Sequence, residues 1–341
     1  MKRVAVVILN YNGKGFLEKF LPGVIEHSPH AEVIVADNQS TDNSVPFLKE
    51  EFPDIRLIIN EENGGFAKGY NDALKQVKAE YYVLLNSDIE VTPNWIEPCI
   101  QLLDSDKNIA AVQPKILAYA DKERFEHAGA AGGFLDTDFY PFCQGRIFGQ
   151  TELDKNQYNQ NKEVFWATGA CLFIRSGAYH EVEGLDEDFF AHMEEIDMCW
   201  RLKSRGHQIY YCPNSTIYHV GGGTLSYQNP RKTFLNFRNS LYMVTKNYEG
   251  ILFMKLIKRL ILDGIAASVF LLKFQGRHFA AVFKAHIKFY GQLRKFLKKR
   301  KKEKIARTQK VTVGTYKGSI IVQRFLGGKK SFQELDSSDF Y

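Results

Sequence analysis

The sequence predicts an α/β fold, a mostly parallel Rossmann-like central sheet with helices on both faces, continued by amphipathic C-terminal helices. Strand-like apolar runs alternate with helix-spaced apolar residues through the first hundred positions. A polar cluster follows each run at once, and the cations concentrate in the last third of the chain. At 341 residues, 45% apolar and 25% charged, the chain has the balance of an ordinary globular protein, which excludes wholesale disorder or a fibre. Five scattered cysteines with no CxxC pair argue against a disulfide framework or a structural zinc site and fit a reducing compartment.

Val4–Leu9 is an unbroken apolar run, the mark of a strand buried on both faces, and a signal-peptide core followed by a small-residue cleavage site is not expected here. Phe16, Leu17, Phe20, Leu21, Val24 and Ile25 then recur at helical spacing. Val33–Ala36 is the second strand, followed by the turn cluster Asp37–Ser44 and a short helix over Val45–Glu51. Ile55–Ile59 is the third strand, Gly65–Val77 a helix and Tyr81–Leu85 the fourth strand. Such alternation implies right-handed βαβ units, whose ligands sit beyond the C-terminal strand ends. That edge holds Asn10-Tyr11-Asn12, Asp37-Asn38, Asn60–Gly65 and Asn86-Ser87-Asp88. Residues 125–163 read as a long substrate-covering loop. Order returns at Val164–Ile174, at a helix around Glu194–Ser204 and at a strand over Gln208–Cys212.

Residues 251–310 carry 17 Lys/Arg against two acids, Asp263 and Glu303, while the rest of the chain holds 28 Lys/Arg against 37 acids. An acidic body with a basic segment points to an anionic partner surface. Lys255, Lys258, Arg259 and Asp263 interrupt the apolar run at helical spacing, and the longest uncharged stretch, Gly264–Leu272, is far short of the roughly 20 residues that span a bilayer. A basic stripe opposite Ile, Leu, Phe and Met describes a helix lying in a membrane interface, and Arg294–Lys304 adds a polybasic cluster. A basic hairpin packed on the protein itself, or a nucleic-acid patch, is the competing reading; nucleic acid is set aside because it needs no such aliphatic surface. Residues from Val311 onward read as a short β-like piece and a polar tail of no legible role.

Several motifs bear chemistry. Asp88, ending Asn86-Ser87-Asp88, is placed to ligate a divalent cation bridging a diphosphate, or merely closes an Asx turn. Asp37–Asp42, with Asn38 and Ser40, either contacts a nucleobase or ribose or caps the next helix. Asn63–Gly69 brings amides to a helix N-terminus, but it is neither GxxxxGK[ST] nor GxGxxG, so neither a P-loop ATPase nor an NAD enzyme is indicated. In Asp186–Arg201, Glu194, Asp197 and Arg201 share a stripe suited to salt pairing, whereas Glu195 lies with Cys199 and Leu202 on an apolar one. A carboxylate held there drifts upward toward a general base's range. His219, before Gly221-Gly222-Gly223, is a metal ligand beside a loop or a structural histidine.

Taken in order, NYN, VIVADNQSTDNS, NGGFAKGYNDAL, YYVLLNSDIEV, WATGACLFIRSGAY and GLDEDFFAHMEEIDMCWRL with IYHVGG resemble glycosyltransferase family 2, especially its bacterial rhamnosyltransferase-like branch in cell-surface polysaccharide synthesis. The likeness runs from about Val4 to Gly223. It implies a GT-A fold, a nucleotide-diphosphate-sugar donor (UDP- or dTDP-linked, dTDP-rhamnose among them), Mg²⁺ or Mn²⁺, and inversion at the anomeric carbon. On this resemblance Asn10, Asn12, Asp37, Asn38, Ser40, Asn63, Gly65, Asn71, Asn86 and Ser87 surround the nucleotide. Asp88 and His219 hold the metal, with Asn86 standing where the family has a first acid. Glu195, preceded by Glu194, stands where the family has an Asp base; Trp166, Gly169, Ala170 and Asp197 fall on the donor-sugar and acceptor side. The implied organisation is a catalytic domain over 1–228, a membrane-associating helical region over 229–308 and a tail over 309–341. The acceptor is expected to be lipid-linked or a glycan, and the location the cytoplasmic face of the cell membrane. A non-catalytic sugar-nucleotide binder is the first alternative; a sugar nucleotidyltransferase lacks its glycine- and base-rich loop, since NYNGKG supplies only Lys14.

Overall fold

The computed structural model describes residues 2–221 and 229–341. The first half follows the expected alternation: β1 (Val4–Asn10), α1 (Lys14–Glu26), β2 (Ala31–Asp37), α2 (Ser44–Glu51), β3 (Arg56–Ile59), α3 (Gly65–Leu74) and β4 (Tyr81–Asn86). Then come β5 (Ile89–Val91), α4 (Glu97–Ser105), β6 (Ile109–Ala118) and β7 (Asp121–Phe125). The short strands β8 (Gly133–Leu135), β9 (Pro141–Cys143), β10 (Arg146–Ile147), β11 (Gln150–Thr151) and β12 (Lys162–Glu163) precede β13 (Cys171–Arg175) and α5 (Ser176–Glu181). The chain continues through α6 (Glu194–Ser204), β14 (Gln208–His219), α7 (Pro230–Asn247), α8 (Leu252–Leu272), α9 (Gly276–Ala306) and α10 (Ile320–Phe325).

The main sheet runs β12-β14-β6-β13-β4-β1-β2-β3, with β5 on β14 and β7 on β6. The strands β4, β1, β2 and β3 are mutually parallel, as are β6 and β14; β13 enters antiparallel between β4 and β6. Val4–Ile8 and Tyr81–Leu85 are buried on both faces, so their unbroken apolar runs reflect helices packed above and below. β14 is longer than the expected strand: it passes a register shift between Cys212 and Thr216 and goes on to His219.

Residues 125–163 do not form a long loop. They build a second, antiparallel sheet, β11-β10-β9-β8. Its strands of two or three residues are too short to show a period-2 pattern, and its order comes from distant partners. Phe134 and Phe142 lie 5.2 and 6.0 Å from Phe332, and Tyr316 and Phe340 close over them. The C-terminal tail is thus part of this sheet's core, with bridges from Leu135 to Thr315 and from Tyr316 to Phe340.

The helices α7, α8 and α9 form a packed unit against the body. Phe296 stacks on Tyr242 at 3.8 Å, and Phe289 and Phe296 are buried. The polybasic stretch is split between two faces. Lys295 and Lys299 reach Asp188 and Asp186, and Lys302 reaches Glu183, whereas Arg294, Lys298, Lys301 and Lys304 face solvent. Half of the cluster is therefore a hairpin's grip on its own protein. No helix among the described residues is long and apolar enough to cross a membrane.

Candidate active site

The parallel strands bring their polar C-terminal residues to one edge, where Asn10 stands in register with Asp37 and Leu9 with Asn86. Asn10, fully buried, donates from Nδ2 to Oδ2 of Asp37 at 2.9 Å and to Oγ of Ser40 at 3.2 Å. The amide of Ser40 donates to Oδ1 of Asp37 at 2.8 Å, and its hydroxyl accepts from the Asn12 amide at 2.8 Å. Asn12, at a left-handed φ of 52°, accepts at Oδ1 from the amides of Thr41 and Asp42. The first two loops are therefore locked together by the residues expected to meet a nucleotide. Asn38 donates to Asn63 Oδ1 and to the Gly65 carbonyl, both at 3.0 Å, and accepts from Asn60, tying the third loop to the second.

Asn71 departs from expectation. Its side chain donates to the Leu185 carbonyl at 2.8 Å and to Glu187, and accepts from the Leu185 amide and the Tyr179 hydroxyl. All its capacity goes into holding residues 185–187, which leaves nothing for a ribose.

Asp88 and His219 meet where β5 pairs with the end of β14: Ile89 stands opposite His219, and the Val220 amide donates to the Asp88 carbonyl. Oδ1 of Asp88 is 3.2 Å from Nε2 of His219, whose Nδ1 lies 3.2 Å from Oε2 of Glu126. All three residues are buried, at 7, 5 and 6% exposure. Burial opposes charge on the ring, yet hydrogen bonds and Coulomb attraction from Asp88 and Glu126 raise His219 to about 10. The described residues contain no group of three or more side chains arranged as a metal cage. One carboxylate and one imidazole nonetheless suit a divalent ion that draws its other ligands from a diphosphate and water, and Glu126 holds the ring so that Nε2 faces Asp88. Glu126 had no signal in the sequence; only the fold brings it beside a histidine 93 positions away. Asn86 ends β4 and Ser87 follows it, directly before Asp88, with the Asn86 backbone amide donating to the Ala170 carbonyl at 2.9 Å. Gly222 and Gly223 of the expected flexible loop lie outside the described residues.

Glu194 and Glu195 open α6 after an unusual turn: Phe190, His192 and Met193 have φ of 66, 70 and 73°. Left-handed conformations are costly for side chains of this kind and persist where surroundings enforce them. Here the Phe190 carbonyl accepts from the amides of Phe66 (2.6 Å) and Ala67 (3.2 Å) at the start of α3. Gly65, at φ 80°, permits that approach, since a Cβ there would sit 2.4 Å from the same carbonyl oxygen. From the other side Nδ2 of the buried Asn239 lies 2.9, 2.9 and 2.7 Å from the carbonyls of Phe189, Ala191 and His192. Asn239 is a positioning residue that no local pattern revealed.

Burial raises Glu195 to about 7, against opposing hydrogen bonds from neighbouring amides including Gly169. Burial and then the Glu195 charge raise Glu194 as well. Oε2 of Glu195 is inaccessible and unpartnered, though the residue keeps partial exposure. A Cβ on Gly169 would meet the Phe66 ring at 2.8 Å and lie 3.8 Å from Cβ of Glu195. Gly169 and Ala170 therefore link the base candidate to Asn86 and so to Asp88.

Two expected cleft residues are elsewhere. Asp197 is fully buried behind the site, bonded to Arg201 at 2.8 Å, Lys246 at 2.9 Å and Asn247 at 2.8 Å. Its charge is consumed by that network, and Glu194 takes no part in the stripe's salt pairing. Trp166, 4% exposed, donates from Nε1 to the Phe134 carbonyl and packs on Gly133 as core.

The family model described as glycosyl transferase family 2 matches residues 5–181, just over half of the chain. An N-acetylglucosaminyl-diphospho-decaprenol L-rhamnosyltransferase of Mycobacterium tuberculosis is 23% identical over 230 residues, 63% of this chain and 75% of that protein. The rhamnosyltransferase WbbL of Escherichia coli is 23% identical over 227 residues, 63% of this chain and 83% of its own. Among solved structures, the mannosyltransferase PcManGT of Pyrobaculum calidifontis with GDP-Man and Mn²⁺ has a TM-score of 0.51 at 16% identity, covering 90% of this chain and 86% of that one. GalNAc-T7 with UDP, GalNAc and Mn²⁺ reaches 0.56 at 16% identity over 72% of this chain, which spans 48% of that structure.

Proposed function

We propose that this chain, which belongs to glycosyltransferase family 2 and has the GT-A fold, is an inverting transferase for cell-surface glycan synthesis. It moves a sugar from a UDP- or dTDP-linked donor, dTDP-rhamnose being the first to try, to a hydroxyl of a lipid-linked or glycan acceptor. The carrying observation is Glu195: a carboxylate raised to about 7, one contact from Gly169 and so joined to the Asp88–His219 edge. Asp37, Asn10, Asn12 and Ser40 order the loops that receive the nucleotide.

In this reading Glu195 takes the proton of the acceptor hydroxyl as that oxygen bonds to C1 of the donor sugar. The C1–O bond to the diphosphate breaks, and its electron pair leaves with the nucleoside diphosphate. A base of this acidity contributes roughly 10²–10⁴-fold, and alignment of the two substrates supplies the larger share. Asp88 and His219 would hold Mg²⁺ or Mn²⁺, His219 through a neutral ring, and the ion would supply charge neutralisation for a diphosphate leaving group. Asn239 and Gly65 keep the Glu195 turn in its strained form throughout.

Two further features support a membrane-surface acceptor. The M. tuberculosis relative is named for a diphospho-decaprenol substrate. In this chain, α8 and its turn expose Phe253 (72%), Met254 (62%), Ile261 (59%), Leu272 (79%) and Phe274 (98%), with Phe283 and Ile287 of α9 beside them. Exposed Lys258, Lys273, Arg277 and Lys284 rim this surface, as suits an interface helix on anionic lipid at the cytoplasmic face. The test is a melting-temperature screen of nucleotide sugars with Mn²⁺, followed by transfer to a lipid-linked acceptor and determination of the new anomeric configuration. Stabilisation by a UDP- or dTDP-sugar and an inverted linkage are expected; a retained configuration, or no transfer from any stabilising donor, contradicts the reading.

A further inference from the structure

The C-terminal tail closes over the second sheet but leaves one helix face bare. In α10, Ile320 is buried against the body, whereas Val322, Phe325 and Leu326, at i, i+3 and i+4, share another face. These three side chains are 49, 67 and 84% exposed. Arg324 lies within the helix, and Lys329 and Lys330 follow Gly327-Gly328 directly after it. Glu334 accepts from the Lys330 backbone amide, not from its ammonium.

This face is fastened on two sides. The Ile320 amide donates to Oδ2 of Asp136 at 2.9 Å, and the Thr137 amide to the Gly318 carbonyl at 3.1 Å. Two residues on from Asp136, Asp138 pairs with Lys255 at 3.2 Å and with Lys258 at 2.8 Å, and Tyr140 donates to Asp263. One loop of five residues, 136–140, therefore holds both α10 and the exposed helix α8. On the other side the Phe325 ring lies 5.2 Å from that of Phe148, whose carbonyl accepts from Arg146. Arg146 in turn touches His127, the neighbour of the Glu126 that orients His219. Contacts thus run from α10 to the α8 surface in one direction and to the Asp88–His219 end of the cleft in the other.

We infer that Val322, Phe325 and Leu326 of α10, with Arg324, Lys329 and Lys330, make a second contact with an anionic lipid surface and fix which way the cleft faces it. The inference rests on the membrane reading of α8 and α9 given above. Three side chains on a six-residue helix cannot bury the roughly 800 Å² per partner of a stable protein interface. A bilayer asks for less: a few aromatic and aliphatic tips below the headgroups, with cations beside them at the anionic surface. A contact through α8 and α9 alone lets the catalytic body pivot on the membrane. A second one, held by the same loop, removes that freedom.

The experiment is Phe325→Trp in the full chain, read by fluorescence on vesicles of phosphatidylglycerol and phosphatidylcholine with brominated acyl chains. The native Trp95, Trp166 and Trp200 are at most 4% exposed and give a constant background. On anionic vesicles the added indole shifts to the blue and is quenched about twofold or more, and on phosphatidylcholine alone it does neither. Independently, Lys329→Gln combined with Lys330→Gln lowers partition to anionic vesicles about tenfold with an unchanged melting temperature. An unquenched indole on protein that sediments with the vesicles overturns the α10 contact and leaves the α8 and α9 surface standing. Protein that does not sediment with them overturns both, and sugar transfer to a soluble acceptor then shows whether the transferase reading survives. Emission already blue-shifted without vesicles, in a chain of dimer mass, gives the face to a second copy and overturns the lipid contact.

Discussion

At the scale of single residues the account turns on carboxylates that share a short segment and differ in environment. Glu195 is raised to about 7 and acts as a base only when ionised. Hence kcat/KM should rise tenfold per unit from pH 5 to about 7 and then level. Glu194 is pushed up by burial and then by the Glu195 charge, so it is neutral while Glu195 ionises, and Glu194→Gln should leave the midpoint of that rise in place; a midpoint moved to lower pH in a pH-rate profile would contradict this. Glu195 was legible because its helical stripe joins it to Cys199 and Leu202, an apolar setting that a sequence displays directly. Asp197 was not, since the ammonium of Lys246 that engages it lies 49 positions away. Asn71 misled for the same reason: its partners Tyr179 and Leu185 are more than a hundred residues distant.

Among elements, the decisive contact is α7 and α9 against the turn that opens α6. Lys246 bonds Asp186 at 2.8 Å and Asp197 at 2.9 Å, and Lys299 bonds Asp186 and Asp188. Burial resists the charges on Asp186 and Asp197, but Lys246 and its fellow cations hold both well below their ordinary value of 3.8. The resulting stability is present above that value and is lost as pH falls below it. Asp186→Asn should cost about 3 kcal/mol at pH 7 by removing the carboxylate that Lys246 and Lys299 share, and the gap between the melting curves of variant and wild type should persist at pH 3 and close only at lower pH. Asn239→Leu should leave the protein folded while lowering kcat at least tenfold, because the Ala191 and His192 carbonyls of the Glu195 turn lose their side-chain donor, while that of Phe189 keeps Arg238; wild-type kcat in a folded variant would remove Asn239 from the account. The strands β1 and β4 were readable from unbroken apolar runs, because both their faces are covered, whereas the edge strand β3 has only Ile58 buried. The β8–β11 sheet was not, because its two- and three-residue strands are ordered by Phe332 and Phe340 from the far end of the chain.

For the whole molecule, the C-terminal helices serve the fold and present a surface at once. Deleting everything after Tyr248 would strip Phe289 and Phe296 from the core, so loss of vesicle binding in that truncation would say little about membranes. Replacing Phe253, Leu272 and Phe274 by Ser spares the core, since these side chains are 72, 79 and 98% exposed. At roughly 1.5–3 kcal/mol for each large apolar side chain buried, the triple variant should lose at least about a hundredfold in partition to anionic vesicles with an unchanged melting temperature; unchanged sedimentation with vesicles would refute the membrane face. The catalytic claim is tested most directly by one paired measurement on Glu195→Gln, turnover and nucleoside diphosphate affinity in the same preparation. Turnover reduced at least a thousandfold, with affinity within about twofold of wild type, is the expected result. Near-normal turnover, or turnover and affinity lost together, would contradict the assignment of Glu195 as the base.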